Sequence, residues 1–451
     1  MATSASPPIA EPQTPPLPAH TISPGYRRYL FTLLLCVSTL NYLDRQIINI
    51  LVEPIRHELQ LADWQLGLLT GLSFALFYSV LGLPIARLAD RSNRPVIIGV
   101  ALLVWSGFTV VCGMAQSFVQ LLLARIGVGC GEAGGGPPGQ SLISDYTTPQ
   151  NRASALAFYS LGSPIGALLG LGMGAVLADQ FGWRVAFYIA GIPGILLGLL
   201  MLVTVKEPRN AQPAATRPRA TVREAWEELR GKRTFWWICA AGAATSVATY
   251  GQGAFWGSFF LRNYGADIEA MGWAMGPLAV VGISLGLVKG LAGIVGAVAG
   301  GMITDRLVRR DLRGYCTVPA IALMLASPTF VLVMFAPGFV SGVALLILPV
   351  FFSTLIFGPS FAAVQTLVQP QTRATAAAIL LFILTLTGLG FGPLLIGGLS
   401  DLFGRSMGSG EGLRWAMLMT APANLVAGLF FWIGRRTLVA ELQIEQPAQV
   451  S

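Results

Sequence analysis

The chain has 451 residues, 54% of them hydrophobic and only 11% charged, with a mean hydropathy of +0.66 and a formal net charge of +8. Soluble domains carry about 25% charged residues, so the composition excludes a water-soluble globular protein and points to a chain that crosses a membrane repeatedly. The basic balance suits anionic lipid headgroups, and without a soluble basic domain nucleic acid is not an expected partner.

Residues 1–25, rich in Pro, Ser and Ala, lack the basic start and apolar run of a secretory signal and read as a disordered N-terminal tail. Twelve apolar stretches follow, beginning near residues 29, 64, 95, 118, 153, 184, 234, 278, 315, 338, 373 and 413. Each is long enough for the ~20 helical residues that span a ~30 Å hydrocarbon core. Twenty-one Lys and Arg fall in the loops of one side and five on the other, namely Arg56, Arg184, Arg262, Arg405 and Arg414. By the positive-inside rule both termini are cytoplasmic, and a plasma (inner) membrane is expected.

The longest internal polar stretch, residues 206–233, holds three prolines and then "TVREAWEELRGKR", in which Thr221 and Glu224 have capping-box spacing. A short amphipathic surface helix is expected there. The stretch separates a bundle at 26–205 from a second at 234–437, with a cytoplasmic tail at 438–451. The halves also repeat each other. "TTPQNRASA" parallels "VQPQTRATA" at an offset of 221, Pro138 parallels Pro359 at the same offset, "DQFG" at Asp179 parallels "DLFG" at Asp401 at 222, and "DRSNR" from Asp90 parallels "DRLVR" from Asp305 at 215. The expected fold is all-α, with twelve transmembrane helices in two pseudo-symmetric six-helix bundles around a central cavity.

The stretch "RIGVGCGEAGGGPPG" from Arg125 contains G-x-G-x-x-G at Gly129, Gly131 and Gly134. That spacing cradles a dinucleotide only after a strand and at the opening of a helix, whereas here it lies inside the fourth span. Gly127, Gly131, Gly135 and Gly139 recur every four residues instead, a stripe along which a neighbouring helix can approach closely. Pro137 and Pro138 interrupt the backbone ladder and bend the helix.

Five cysteines without a C-x-x-C pair and only two histidines, His20 and His57, give no disulfide framework, metal site or zinc-peptidase motif. No nucleophile, base and metal constellation appears, so an enzyme is not expected.

Ionisable residues deep in spans are costly unless paired or facing water. They are Asp44, Arg45, Arg125, Glu132 and Lys289. At the repeat offset of 221, Arg125 corresponds to Leu346 and Glu132 to Ser353. The twin scaffold therefore lacks these charges, which favours a functional role over a salt bridge that merely joins two helices. Counted from an outer end at Ile50, Asp44 lies about 9 Å deep; counted from Ser117, Arg125 lies about 12 Å and Glu132 about 22 Å deep. Depth thus matches Asp44 with Arg125, and leaves Glu132 deeper. Lys289, in the glycine-rich eighth span, could snorkel to the surface or bind an anion, and snorkelling is the expectation.

The two D-R-x-x-R loops and the six-plus-six layout resemble the major facilitator superfamily, whose signature loop reads "ARLADRSNR" here, with Asn93 where glycine is usual. Within it, "NYLDRQ" from Asn41, "GVGCGEAGGGPPGQSLISDY" and "NRASALAFYSLGSPIG" resemble the Spinster family of lipid transporters. The resemblance implies alternating access without a cofactor, with cytoplasmic latches formed by Asp90, Arg91, Arg94, Asp305, Arg306 and Arg309. It also implies an amphipathic anionic lipid as substrate, a lysophospholipid or sphingoid phosphate such as sphingosine-1-phosphate.

Arg45, Arg125 and Asn41 are assigned to the substrate, since arginine's planar fork suits oxyanions. Asp44 and Glu132 are assigned to a coupling proton, carboxylates held out of water being apt to exchange one. The protein is expected to act as a monomer among membrane lipids. Two alternatives stand beside this reading: a proton-coupled small organic-anion carrier and an energy-independent scramblase or channel.

Overall fold

In hydrocarbon every backbone N–H and C=O must be satisfied within the protein, which leaves helices or closed barrels. The computed structural model describes residues 23–208, 222–369 and 371–444, and among these no strand occurs. Most of the tail placed at residues 1–25, the capping residue Thr221 and the final stretch from 445 lie outside the described residues.

Twelve helical paths follow one another. The first half holds α1 (Pro24–Leu59), α2 (Asp63–Ala89), α3 (Arg94–Met114), α4 (Phe118–Glu132, resuming as Gly136–Asp145), α5 (Ser154–Phe181) and α6 (Trp183–Thr204). The second holds α7 (Arg233–Ala270), α8 (Pro277–Val308), α9 (Gly314–Met334), α10 (Phe339–Leu367), α11 (Thr375–Met407) and α12 (Ser409–Leu442). The last helix continues to Ile444, past the boundary set at residue 437.

By length and composition alone nine of these paths could cross a membrane; the exceptions are α1, α4 and α7. All three contribute to the central cavity, and α1 and α4 carry Asp44, Arg45, Arg125 and Glu132. A helix that faces a wet cavity need not be as apolar as one surrounded by lipid.

The repeat is visible in the backbone. α4 breaks after Glu132 and α10 after Thr354, close to the repeat offset of 221. Each break falls just before the paired prolines, whose missing N–H groups open the ladder. α2, α5, α8 and α11 each contain a π turn, at Leu68–Leu72, Leu169–Met173, Val288–Ala292 and Thr385–Phe391. These four helices form much of the seam between the halves, and π turns inside α-helices frequently mark functional sites.

Between the halves, packing concentrates toward the face opposite the termini. There α2 lies against α11 and α5 against α8. A Cβ on Gly71 would stand 2.6 Å from the Leu389 carbonyl oxygen, and one on Gly67 would collide with that of Pro393. Gly282 of α8 meets α5 at Leu171 and Ala175 in the same way. Among the described residues no comparable packing joins the terminal-face ends of α5 and α8. The two bundles are therefore sealed at one face only.

Between the halves a helix spans Val222–Arg230, and its Glu228 accepts hydrogen bonds from the Gln369 amide (2.9 Å) and the Thr372 hydroxyl (2.7 Å). The linker is thereby fastened to the loop between α10 and α11.

Candidate functional site

The glycine stripe of α4 presses this helix onto α3. A Cβ on Gly131 would lie 2.6 Å from the Trp105 amide nitrogen, one on Gly127 would enter the Phe108 ring, and Gly135 also faces Trp105. That close approach leaves the opposite side of α4 to α1 and α2. Arg125 and Glu132 are both almost completely buried there.

Arg45 donates from Nε to Glu132 Oε2 at 2.6 Å, and Asn41, one turn earlier on α1, donates its amide to the same oxygen at 2.9 Å. The Arg45 guanidinium also lies over the rings of Tyr78 (4.5 Å), Phe74 (5.1 Å) and Tyr42 (5.7 Å). Faces of aromatic rings attract a cation without neutralising it, so they steady Arg45 whether or not Glu132 is charged.

Asp44 points the other way, as adjacent helix positions must, about 100° apart. Its Oδ2 accepts from the Thr109 hydroxyl on α3 at 3.1 Å. Asp44 Oδ1, Glu132 Oε1 and two guanidinium nitrogens of Arg125 are buried without a hydrogen-bond partner within the protein. Arg125 touches the Phe74 ring face at 5.6 Å. A cluster with this many unmet donors and acceptors is poised to exchange partners, because each unmet buried group costs about 1–3 kcal/mol.

The pairing expected from depth is reversed in this conformation. Arg45 meets Glu132, and no ion pair joins Asp44 to Arg125 among the described residues. The cause is the length of α1, which runs on to Leu59 rather than ending near Ile50. Counted from Leu59, Arg45 lies about 21 Å deep, level with Glu132 at about 22 Å and well below Arg125 at about 12 Å.

A central cavity of about 290 Å³ opens beside this cluster. Arg45, Arg125 and Lys289 line it together with Gln46, Asn49, Tyr250, Gln252, Asn424 and an apolar wall that includes Phe74, Trp256 and Phe330, and among the described residues no Asp or Glu does. Leu346 and Ser353, the repeat equivalents of Arg125 and Glu132, line it from α10. Lys289 was expected to snorkel outward. It faces the cavity instead, its ammonium 3.4 Å from both Gln46 Oε1 and the Gly253 carbonyl oxygen.

The sealed face carries a charge network that the sequence reading missed. Arg262 of α7, counted there as an ordinary loop arginine, has its side chain only 5% exposed and meets Glu53 of α1 at 2.9 Å and Asp63 of α2 at 2.7 Å. Ser400 of α11 donates to the same Asp63 at 2.6 Å. Asp401, from the repeated D-x-F-G, accepts from the Asp63 and Trp64 amides at 3.0 and 2.8 Å, capping the start of α2 from the other half. Its counterpart Asp179 stands against Gly276 at the start of α8. Carboxylates at helix N-termini are favoured by the helix dipole. The repeated motif was the signal that could have located this seal.

On the terminal face, Asp305, Arg306 and Arg309 are exposed and make no ion pair among the described residues, and nothing is described of the side chains of Asp90 and Arg91. Arg94 is a different case. Its buried guanidinium joins Asp145 at 2.7 Å, Glu207 and the Ser141 hydroxyl at 3.0 Å, all within the first half. In this conformation it staples α3, α4 and the segment after α6 rather than latching the bundles together. Arg94→Gln is accordingly expected to lower stability by about 3 kcal/mol, since it strips a buried ion network of its cation. Thermal unfolding in detergent would show this as a drop in midpoint; an unchanged midpoint would contradict the staple.

The family model described as Major Facilitator Superfamily matches residues 34–388. A bacterial homolog of the human lysosomal transporter Spinster, solved in an inward-facing and unoccupied conformation, superposes with a TM-score of 0.82 at 30% identity, over 93% of this chain and 99% of that one. An MFS-type efflux pump of Mycolicibacterium smegmatis is 33% identical, covering 90% of this chain and 92% of its own length. A probable L-galactonate transporter of Escherichia coli is 27% identical over 67% of each chain. The sphingosine-1-phosphate transporter SPNS2 of Danio rerio is 26% identical, over 87% of this chain and 81% of that protein.

Proposed function

The chain belongs to the major facilitator superfamily and is related to its Spinster members, and on that premise we propose that it is a proton-coupled transporter of an amphipathic anion, working by alternating access. The observation that carries this reading is the Arg45–Glu132 pair beside a cavity lined, among the described residues, by three cations and no carboxylate. When Glu132 is ionised it occupies Arg45. When it takes a proton, the guanidinium is released to an anionic substrate, and the two events become linked because one cation serves both partners. Asp44, with one unmet oxygen, and Arg125, with two unmet nitrogens, stand ready to repair the cluster after each exchange.

With both termini cytoplasmic, as the basic loops favour, the sealed face is external and the conformation inward-facing. One chain supplies both halves of the cavity, so a monomer suffices. The relationship to a sphingosine-1-phosphate transporter supports a lysolipid or sphingoid phosphate. A small organic anion is the second reading, favoured by the modest cavity of about 290 Å³, at the low end for small-molecule pockets, and by the relationship to a probable L-galactonate transporter.

Uptake into proteoliposomes, with and without an imposed pH gradient, separates these readings. An amphipathic phosphate should accumulate only with the gradient, several-fold over empty vesicles. Accumulation of a sugar acid alone would favour the second reading, and equilibration that ignores the gradient would indicate a scramblase or channel.

A further inference from the structure

Among the described charges that line the cavity, Lys289 alone comes from the second half. It sits in the π turn Val288–Ala292 of α8, and at the offset of 215 that the D-R-x-x-R motifs set for α2 and α8 its repeat equivalent is the buried, apolar Phe74. Its only described partners are the Gln46 amide oxygen and the Gly253 carbonyl, both neutral and both at 3.4 Å, beyond the usual 2.7–3.2 Å range for such bonds. Among the described residues no Asp or Glu lines the cavity beside it. A cation within a membrane-embedded cavity is costly without a counter-charge, and here the protein offers only two weak dipoles.

Gln46 follows Arg45 directly on α1, so the ammonium of one half contacts the residue next to the guanidinium of the other. Arg45 uses only its Nε for Glu132, lines the cavity and retains about one-fifth of its side-chain exposure. We propose that Lys289 is the second half's anion anchor, and that the substrate's oxyanion is held between Arg45 of α1 and Lys289 of α8.

The inference rests on the transport reading above and adds to it. A ligand bridging the halves through two cations has a reason to draw them together around itself, whereas one held by Arg45 alone does not. Lysine suits this role because its ammonium is a compact point charge on a flexible stem, free to leave two weak acceptors for a stronger one. The shared chemistry is an oxyanion, whether phosphate monoester or carboxylate.

Calorimetric titration of the purified full chain with dodecyl phosphate, dodecanoate and glucuronate tests the anchor on wild type, Lys289→Gln, Lys289→Arg and Arg45→Gln. The expected result is at least a tenfold loss of affinity in Lys289→Gln for whichever anion binds wild type, with Lys289→Arg retaining most of it. Unfolding midpoints of the four proteins identify any variant that has lost its fold, and the arginine variant, which keeps the charge, then carries the comparison. Wild-type affinity in Lys289→Gln alongside a loss in Arg45→Gln would overturn the anchor and leave the anion reading standing. Failure of wild type to bind all three anions would overturn both.

Discussion

Glu132→Gln is expected to abolish accumulation driven by a pH gradient, a fall of at least tenfold, while substrate exchange across vesicles at equal pH persists. Glutamine can still accept from Asn41 and Arg45, the two donors that meet Glu132 at 2.9 and 2.6 Å, but it imitates the protonated acid permanently. Substrate no longer needs a proton to displace the carboxylate from Arg45, and the gradient loses its purchase on the cycle.

Breaking a buried pair ordinarily costs about 3–5 kcal/mol. Here the cost should be smaller, because Arg45 faces the cavity in part and lies over three aromatic rings, so folded protein should reach the membrane. Asp44→Asn is the comparison. Among the described residues its carboxylate accepts only from Thr109, and a loss of coupling there with a normal Glu132→Gln would move the proton to Asp44. Wild-type pH response in both variants would remove proton coupling from this cluster altogether.

A second large effect is expected from Arg262→Leu. This guanidinium bridges α7 to Glu53 and Asp63, which are 8% and 4% exposed, and its removal leaves two carboxylates facing each other at the sealed face. Arg56 lies 3.2 Å from Asp63 and 3.4 Å from Glu53 and can compensate partly. A net loss of about 2 kcal/mol then shifts the balance between sealed and open forms roughly thirtyfold toward opening. Spin labels placed across that face should show a longer-distance population in Arg262→Leu and a return toward the short one in Arg262→Lys. Identical distance distributions in wild type and Arg262→Leu would mean that glycine-mediated packing of α2 on α11 holds the seal without the charges.

Much of this architecture is fixed by local and one-dimensional facts. Span length follows from the rise per residue and the thickness of hydrocarbon, and the two bundles follow from offsets that recur in loops, prolines and D-x-F-G motifs. The same offset carries Phe118 at the start of α4 onto Phe339 at the start of α10. The glycine spacing of α4 announced a close helix contact, since a missing Cβ is a property of the residue itself. Buried charge is equally legible: an ionisable residue far from both ends of an apolar span must be doing something that outweighs its cost.

Which charges meet was decided by tertiary structure alone. Depth arithmetic needs true helix ends, and a helix can run past the hydrocarbon when its last turns carry charges that pack elsewhere, as α1 does through Glu53, Arg56 and Glu58. Glu53 and Arg56 join the seal, and Glu58 accepts from the Trp183 indole at 2.7 Å. Lys289 was placed at the surface from its position in α8 and faces the cavity instead, because rotation about a helix axis is set by what the helix packs against. A π turn at Val288–Ala292 alters that rotation locally. The seal of Arg262 with Glu53 and Asp63 joins residues separated by roughly two hundred positions, and such a contact exists only once both bundles have folded and closed on the same face. Sequence therefore determined the helices, their repeat and the presence of buried charge, while the partner of each charge depended on helix length, rotation and the approach of one half to the other.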